Sequence, residues 1–512
     1  MDQQELELQD SLPAVVDLVS YAHESGLATM RRRGRLAQKR LGQFMTPPPV
    51  ARFMAARCLP TESQGLLRIL EPAAGAGILA AAVIDAVLDG QARPERIELT
   101  LCELDPRFLP ALRRLADRMR RRARRAGVTL TVGIEIGDFL LSRRSLARTP
   151  CADLVIANPP YFKVGARDPR ARAHPDAVYG QPNIYGLFMA VCASLLYPAG
   201  RWCFITPRSW TNGDYFAAVR RALVRTLRFD AMHLFDSRRD HFVHDEVLQE
   251  AMITWGTSQA QPHGEVVVST SAGTADLVDA RLAAHPIAQI VGQDDARIIA
   301  LPTGTQAHPW STWTATLATY GLRVSTGPVV AFRAAEHLRE RGGADTVPLL
   351  WMQHIGHMQV RWPIAKKREH IVGNADTAWM LVPNENLVLM RRFSPKEDRR
   401  RVTSAPYLAR TLPGPVLGLE NHTNYVSRPG GTLSADEARG IAAFLNSRIV
   451  DSYLRTVAGN TQVNASDLRR LPLPPLEYLI AIGRALDAHA TLADADAAVA
   501  AVLASPTLAV AV

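Results

Sequence analysis

Seven short apolar runs, each closed by a polar or turn-forming residue and separated by amphipathic stretches, constrain this chain more than any other feature. They are LLRILEPA, RIELTLCELD, LTVGIEIGD, DLVIANPP, GRWCFITP, FDAMHLF and LQEAMITW, within residues 41–257. Runs this short and this rich in Val, Ile and Leu read as strands buried on both faces. The intervening ILAAAVIDAVLDG and IYGLFMAVCASLLYPAG read as helices. Such alternation predicts an α/β fold with a doubly wound, mostly parallel sheet. Open sheets of that kind bind ligands beyond the carboxyl ends of their strands. The residues that close each run are therefore where chemistry is expected.

At 512 residues the chain is too long for one ordinary domain. Residues 1–36 read as a helical segment ending in a basic run, and residues 37–260 as the α/β domain. The polar stretch SQAQPHGE, 258–265, marks a boundary. Residues 261–475 are irregular, with short strands, many Trp and His, and turns such as RPGG at 428–431, and they read as a second domain. Residues 476–512 read as an Ala-rich helix or tail.

The formal net charge is +10, and the surplus is mostly arginine, clustered at 31–40, 113–125 and 391–401. Surfaces of that kind bind phosphate backbones, so a polyanion partner is expected. A solvated helix face accounts about equally well for 113–125 taken alone. The five cysteines, Cys58, Cys102, Cys151, Cys192 and Cys203, form no C-x-x-C. They argue against a disulfide framework and a structural zinc site and suit a reducing cytoplasm. His233, His241 and His244 lack metal-ligand spacing. The acidic start MDQQELELQD does not look like a signal peptide, and no uncharged apolar run reaches the roughly 18 residues of a membrane helix. A soluble, cytoplasmic protein with no metal and no membrane partner is expected.

The stretch LRILEPAAGAGILA, 67–80, is a strand, a small-residue turn and a helix start. Gly75 and Gly77 let a ligand approach the backbone, and the helix start offers free N–H groups. Glu71 would repel the pyrophosphate of a dinucleotide. It suits a cationic ligand instead, such as S-adenosyl-L-methionine with its sulfonium and ammonium. Glu103 closes the second run and can accept ribose hydroxyls. Asp138 closes the third and can take an adenine amino group, with Phe139 against the ring. The fourth run ends in Asn158, Pro159, Pro160 and Tyr161. The prolines stop the sheet and stiffen the loop, holding Asn158 at the strand end.

In the order GQFMTP, LEPAAGAG, CELDP, GDFL and NPPY, these residues resemble the gamma class of N6-adenine DNA methyltransferases of type II restriction–modification systems, over about residues 41–257. The resemblance implies a Rossmann-like methyltransferase sheet with a C-terminal α+β target-recognition domain, acting on double-stranded DNA beside a separate restriction endonuclease. It implies that Phe44 and Thr46 contact the methionine end of S-adenosyl-L-methionine, with Glu71, Ala73 and Gly75 lining the same pocket. Glu103 would bind ribose, Asp138 and Phe139 the cofactor adenine, and Asn158 would adjoin both cofactor and target. Asn158 Oδ1 and the Pro159 carbonyl would accept the two N–H bonds of the target amino group, with Pro160 fixing the loop and Tyr161 stacking on the flipped base. Phe242 is the expected second aromatic, with Phe235 as competitor. The later phrases ENHTNYVSR and TQVNASDLRRLPLPP resemble the end of long adenine methylases.

Methylation of an RNA base or a protein glutamine is the second enzyme reading, because those families also use NPPY-like loops. A DNA-binding module without catalysis is the third, and the intact NPPY loop argues against it.

Overall fold

All seven apolar runs are strands of one sheet in the computed structural model. It describes residues 17–31, 45–62, 65–142, 149–165, 167–180, 183–235, 251–259, 264–292, 295, 297–301, 313–394, 398–457 and 463–504. The chain divides into two units, residues 1–305 and 306–512. In the first unit the strands are β1 (Leu66–Glu71), β2 (Arg96–Glu103), β3 (Thr129–Ile136), β4 (Ala152–Ala157), β5 (Leu196–Pro207), β6 (Arg228–Phe235) and β7 (Ala251–Thr257). Two further strands, β8 (Glu265–Ser271) and β9 (Arg281–Pro286), extend the sheet past the polar stretch at 258–265.

The strand order is β3-β2-β1-β4-β5-β7-β6-β8-β9. Strands β1 to β5 pair in parallel, as two-face burial of continuous apolar runs requires. Strand β7 lies antiparallel between β5 and β6, so this half of the sheet is mixed. Strand β8 adds in parallel to β6, covering backbone groups that an edge would leave open.

Alternation along each strand divides the core between two faces. Leu67, Ile69, Leu154 and Ile156 pack on one face. Leu70, Val155 and Ala157 pack on the other. The first face is covered by α1 (Leu18–Arg31), α2 (Pro48–Arg57), α3 (Ile78–Asp89) and α4 (Leu109–Arg125), and the second by α5 (Ile184–Leu195). The sheet is therefore doubly wound. Residues 18–31 are part of this core, because α1 buries Leu18, Val19, Tyr21 and Ala22 against α3 and α4.

From β1 the chain winds outward through β2 and β3, whereas β4 and β5 lie on the other side of β1. That reversal puts the topological switch point between β1 and β4, whose carboxyl ends are Glu71 and Ala157. In register, Ile69 pairs with Leu154 and Leu70 with Val155.

The second unit has a four-stranded antiparallel sheet and a five-stranded mixed sheet, followed by helices Ala435–Asn446, Arg448–Val457, Leu476–Arg484 and Leu492–Leu503. It is an α+β unit. The Ala-rich end is helical over Leu492–Leu503, with Ala495 and Val499 buried.

The arginine clusters differ from one another. Residues 113–125 fall on α4, where Arg113, Arg121 and Arg125 are exposed while Arg118 covers the Tyr21 ring and Arg122 pairs with Asp89. In the cluster at 391–401, read from sequence as a phosphate-binding surface, Arg400 and Arg401 fold inward, whereas Arg391 and Arg392 are half-buried and Arg399 is exposed. Arg391 Nε donates to the Ile355 carbonyl at 2.6 Å, and Arg400 and Arg401 are 6% and 1% exposed. Arg401 Nη1 donates to the Ser394 carbonyl, and Arg400 pairs with Asp496. Most of the first cluster, 32–40, lies outside the described residues.

Candidate active site

A pocket opens beyond the carboxyl ends of β1 to β4. Of the residues expected from sequence, Ala73, Gly75, Glu103, Asp138, Phe139, Asn158 and Pro160 all line it. They come from four separate strand ends, which the fold brings together at the switch point.

Gly75 and Gly77 shape the first wall. Both have positive φ, +52° and +79°. A Cβ on Gly77 would lie 2.7 Å from Leu115 Cδ2, so that glycine is needed for packing. A Cβ on Gly75 would meet no atom within 4 Å, so its bare backbone faces open space that a ligand can fill.

The two strand-end glutamates do different things. Glu103 Oε2 accepts from Gly75 N at 2.7 Å and Oε1 from Asp105 N at 2.7 Å. The carboxylate thus fixes the glycine turn while lining the pocket. Burial holds its pKa above the ordinary value, against the pull of those N–H donors. Glu71, expected to line the pocket, turns inward instead. It is 1% exposed, and its Oε2 accepts from Ala80 N at 2.9 Å in the first turn of α3. Burial drives its pKa well upward, with nearby Glu103 adding to the effect. Its immediate role is to cap a helix whose own N-cap, Gly77, has no side chain to do so.

At the far end of the pocket, Asp138 Oδ1 accepts from Leu141 N at 3.2 Å, and Phe139 stacks on Phe188 with centroids 5.3 Å apart. Arg170, which sequence reasoning missed, lines the same end with Nη1 4.0 Å from Asp138 Oδ2. Asp168 grips the guanidinium at 2.7 and 2.8 Å, and its carbon centre lies 5.4 Å from the Phe162 ring centroid. Leu104, Met30, Met45 and Phe162 were also missed. Leu104 carried a signal: it is an apolar residue directly after a strand-end carboxylate, and it is 48% exposed.

Asn158 is held from both sides. Its Nδ2 donates to Thr46 Oγ1 at 3.0 Å, and its Oδ1 accepts from the Tyr161 hydroxyl at 2.7 Å. Thr46, expected at the methionine end of a cofactor, is 3% exposed. The Tyr161 hydroxyl also lies 3.1 Å from the Ile205 carbonyl. Burial raises the Tyr161 pKa far above its ordinary value, so the group stays a neutral donor. The ring stands edge-on to Tyr185 at 5.9 Å, and the Tyr185 hydroxyl meets Ser209 Oγ at 2.7 Å. Pro159 is buried.

Phe44 and Phe242 lie outside the described residues, as do His241 and His244. Phe235 is 5% exposed and packs against His233, whose two ring nitrogens meet Ser269 and Ser271 hydroxyls. Both side chains belong to the core. Among the described residues no group of His, Cys, Asp or Glu could hold a metal ion, and no helix is long and apolar enough to cross a membrane.

Residues 150–242 match the family model described as Eco57I restriction-modification methylase. The type II methyltransferase M.BsuBI of Bacillus subtilis is 32% identical over 462 residues, covering 87% of this chain and 89% of that protein. The type II methyltransferase M.PstI of Providencia stuartii is 32% identical over 494 residues, covering 94% and 95%. Among solved structures, the DrdV–DNA complex aligns with a TM-score of 0.51 at 13% identity, over 92% of this chain and 60% of that one. That last likeness concerns the fold alone.

Proposed function

This chain belongs to the type II methyltransferases of restriction–modification systems, and from that membership we propose that it methylates N6 of an adenine flipped out of duplex DNA, with S-adenosyl-L-methionine as donor. The observation that carries the reading is the position of Asn158. Its amide lies at the switch-point end of β4 and lines the pocket, so one side chain adjoins both the donor site and the loop that would receive a base.

The pocket fits such a donor. Gly75 leaves its backbone open, Glu103 offers acceptor oxygens to ribose hydroxyls, and Asp138 with Phe139 offers an acceptor and an apolar face to an adenine ring. When bound, S-adenosyl-L-methionine supplies an electrophilic methyl group. The remaining work falls to the chain. An exocyclic amino nitrogen is a poor nucleophile because its lone pair is conjugated with the ring. Asn158 Oδ1 and the Pro159 carbonyl would accept its two N–H bonds and draw the pair out of conjugation, with the prolines keeping both acceptors in place. Flipping costs a few kcal/mol. Stacking on Tyr161 recovers about 1–3 kcal/mol. The second unit, from residue 306, would carry sequence recognition, because β8 and β9 put the start of the 261–475 stretch in the first unit's sheet, and a separate restriction endonuclease would be the functional partner.

A modified-base map of DNA from cells expressing the chain tests the reaction and its target together. N6-methyladenine at one short site is expected, and N4-methylcytosine or an unmodified genome would overturn the base assignment. Asn158→Ala should nearly abolish transfer while leaving cofactor and duplex binding close to normal, and Glu103→Ala should weaken cofactor binding in calorimetry.

A further inference from the structure

We infer that Thr46 is a positioning residue for Asn158, and that its hydroxyl serves the methyl-transfer step through that amide rather than through the donor. The inference rests on the proposed reaction, in which Asn158 Oδ1 must face the target amino group.

The two residues are 112 positions apart, yet Asn158 Nδ2 reaches Thr46 Oγ1 at 3.0 Å. An amide has a donor end and an acceptor end on opposite sides. Engaging Nδ2 at Thr46 turns Oδ1 the other way, where the Tyr161 hydroxyl meets it at 2.7 Å. Thr46 is 3% exposed, so its hydroxyl has little water to turn to and the bond is correspondingly persistent.

The local sequence explains why this bond is inexpensive to form. Thr46 precedes Pro47, Pro48 and Pro49, and Asn158 precedes Pro159 and Pro160. A residue before proline is restricted to extended backbone, and each proline fixes its own φ. Pro47 sits at φ −63° and ψ 145° as the N-cap of α2. That helix is anchored by buried Val50, Ala51, Phe53 and Met54. Both partners are thus set on stiffened backbone before they meet, so little conformational freedom is lost in joining them. Met45, the residue before Thr46, lines the pocket. Consecutive residues therefore touch the donor site and the catalytic amide, and the placement of one constrains the other.

Thr46→Val keeps the shape and removes the hydroxyl, and Thr46→Ser keeps the hydroxyl. The experiment measures kcat and KM, cofactor Kd by calorimetry, and base flipping with 2-aminopurine at the target position. With Val, kcat should fall by about 10- to 100-fold, the scale of a misplaced catalytic group. Cofactor Kd and flipping should stay within about twofold, and Ser should restore kcat. A Val variant with intact kcat at saturating cofactor and a raised cofactor Kd would overturn the inference, making Thr46 a donor contact. So would a Val variant matching the parent in every parameter. If Val does not fold, Thr46→Ala against Thr46→Ser gives the same comparison. An active Asn158→Ala variant would instead bring down the proposed reaction itself, which keeps the two failures separate.

Discussion

The Tyr161 hydroxyl donates to Asn158 Oδ1 at 2.7 Å, occupying the acceptor that the proposed reaction assigns to the target amino group. The Ile205 carbonyl, 3.1 Å from the same hydroxyl, offers the proton a second acceptor once a base arrives. Tyr161→Phe keeps the ring and removes this competition. It should hold kcat within about threefold of the parent and enlarge the flipped population reported by 2-aminopurine, because an acceptor left without its donor favours capture of the base. Tyr161→Ala should reduce flipping. A tenfold loss of kcat in the Phe variant with unchanged flipping would assign the hydroxyl to the transfer step.

Arg170 brings a cation beside Asp138 and Phe162, to the end of the pocket where the proposed function would put the donor's adenine. Arg170→Ala should weaken cofactor binding by about three- to tenfold, near 1 kcal/mol, through loss of the guanidinium face and of order at Asp138. Calorimetry on the free enzyme reads this directly, and an unchanged Kd would mean that the guanidinium only closes the wall.

Arg401 tests whether the 391–401 cluster is structural. Its side chain is 1% exposed, its Nη1 holds the Ser394 carbonyl at 2.7 Å, and its backbone N–H donates to Asp451 Oδ1. Arg401→Ala should cost about 2–4 kcal/mol in denaturant unfolding, from lost packing and a carbonyl left unpaired. Arg121→Ala, at an exposed position on α4, should change stability by no more than about 0.5 kcal/mol. A stable Arg401→Ala protein with a shallower salt dependence of DNA binding would return the cluster to the phosphate backbone.

Asp85 on α3 sets a pH dependence of stability. Burial pushes its pKa to about 6 from 3.8, against the opposing pull of Arg122. Below the unfolded value both states hold the proton and no penalty exists. Between the two values the folded state holds more protons than the unfolded one, so stability falls as pH rises, and above about 6 the loss is complete. Asp85→Asn should therefore gain on the parent as pH rises through that window and hold a constant gain above it. Thermal melts across the window check the sign, and a gain that shrank with rising pH would contradict it.

The strands were legible because their cause is local. Burial on both faces demands continuous apolar runs, and glycines and prolines end them, so β1 to β7 and the strand-end residues Glu103, Asp138 and Asn158 could be read from neighbours a few positions away. Strand β8 was not, because its place depends on the open edge of β6 rather than on its own pattern.

Side-chain partners were decided by tertiary structure alone. Glu71 and Glu103 are the same residue type at the ends of adjacent strands, yet one caps α3 and the other lines the pocket, because only Glu71 has the uncapped start of a helix within reach. Arg401 stands in a run that reads as a phosphate-binding surface and is buried because the second unit closes over it. The resemblance implied a donor contact for Thr46, but its bond to Asn158 spans 112 positions and exists because α2 and the end of β4 meet in one sheet face. Periodicity and backbone stiffness act over a few residues and are written in the order of the chain. A hydrogen bond across the sheet depends on which strand ends the topology sets side by side, and that is decided only when the whole core packs.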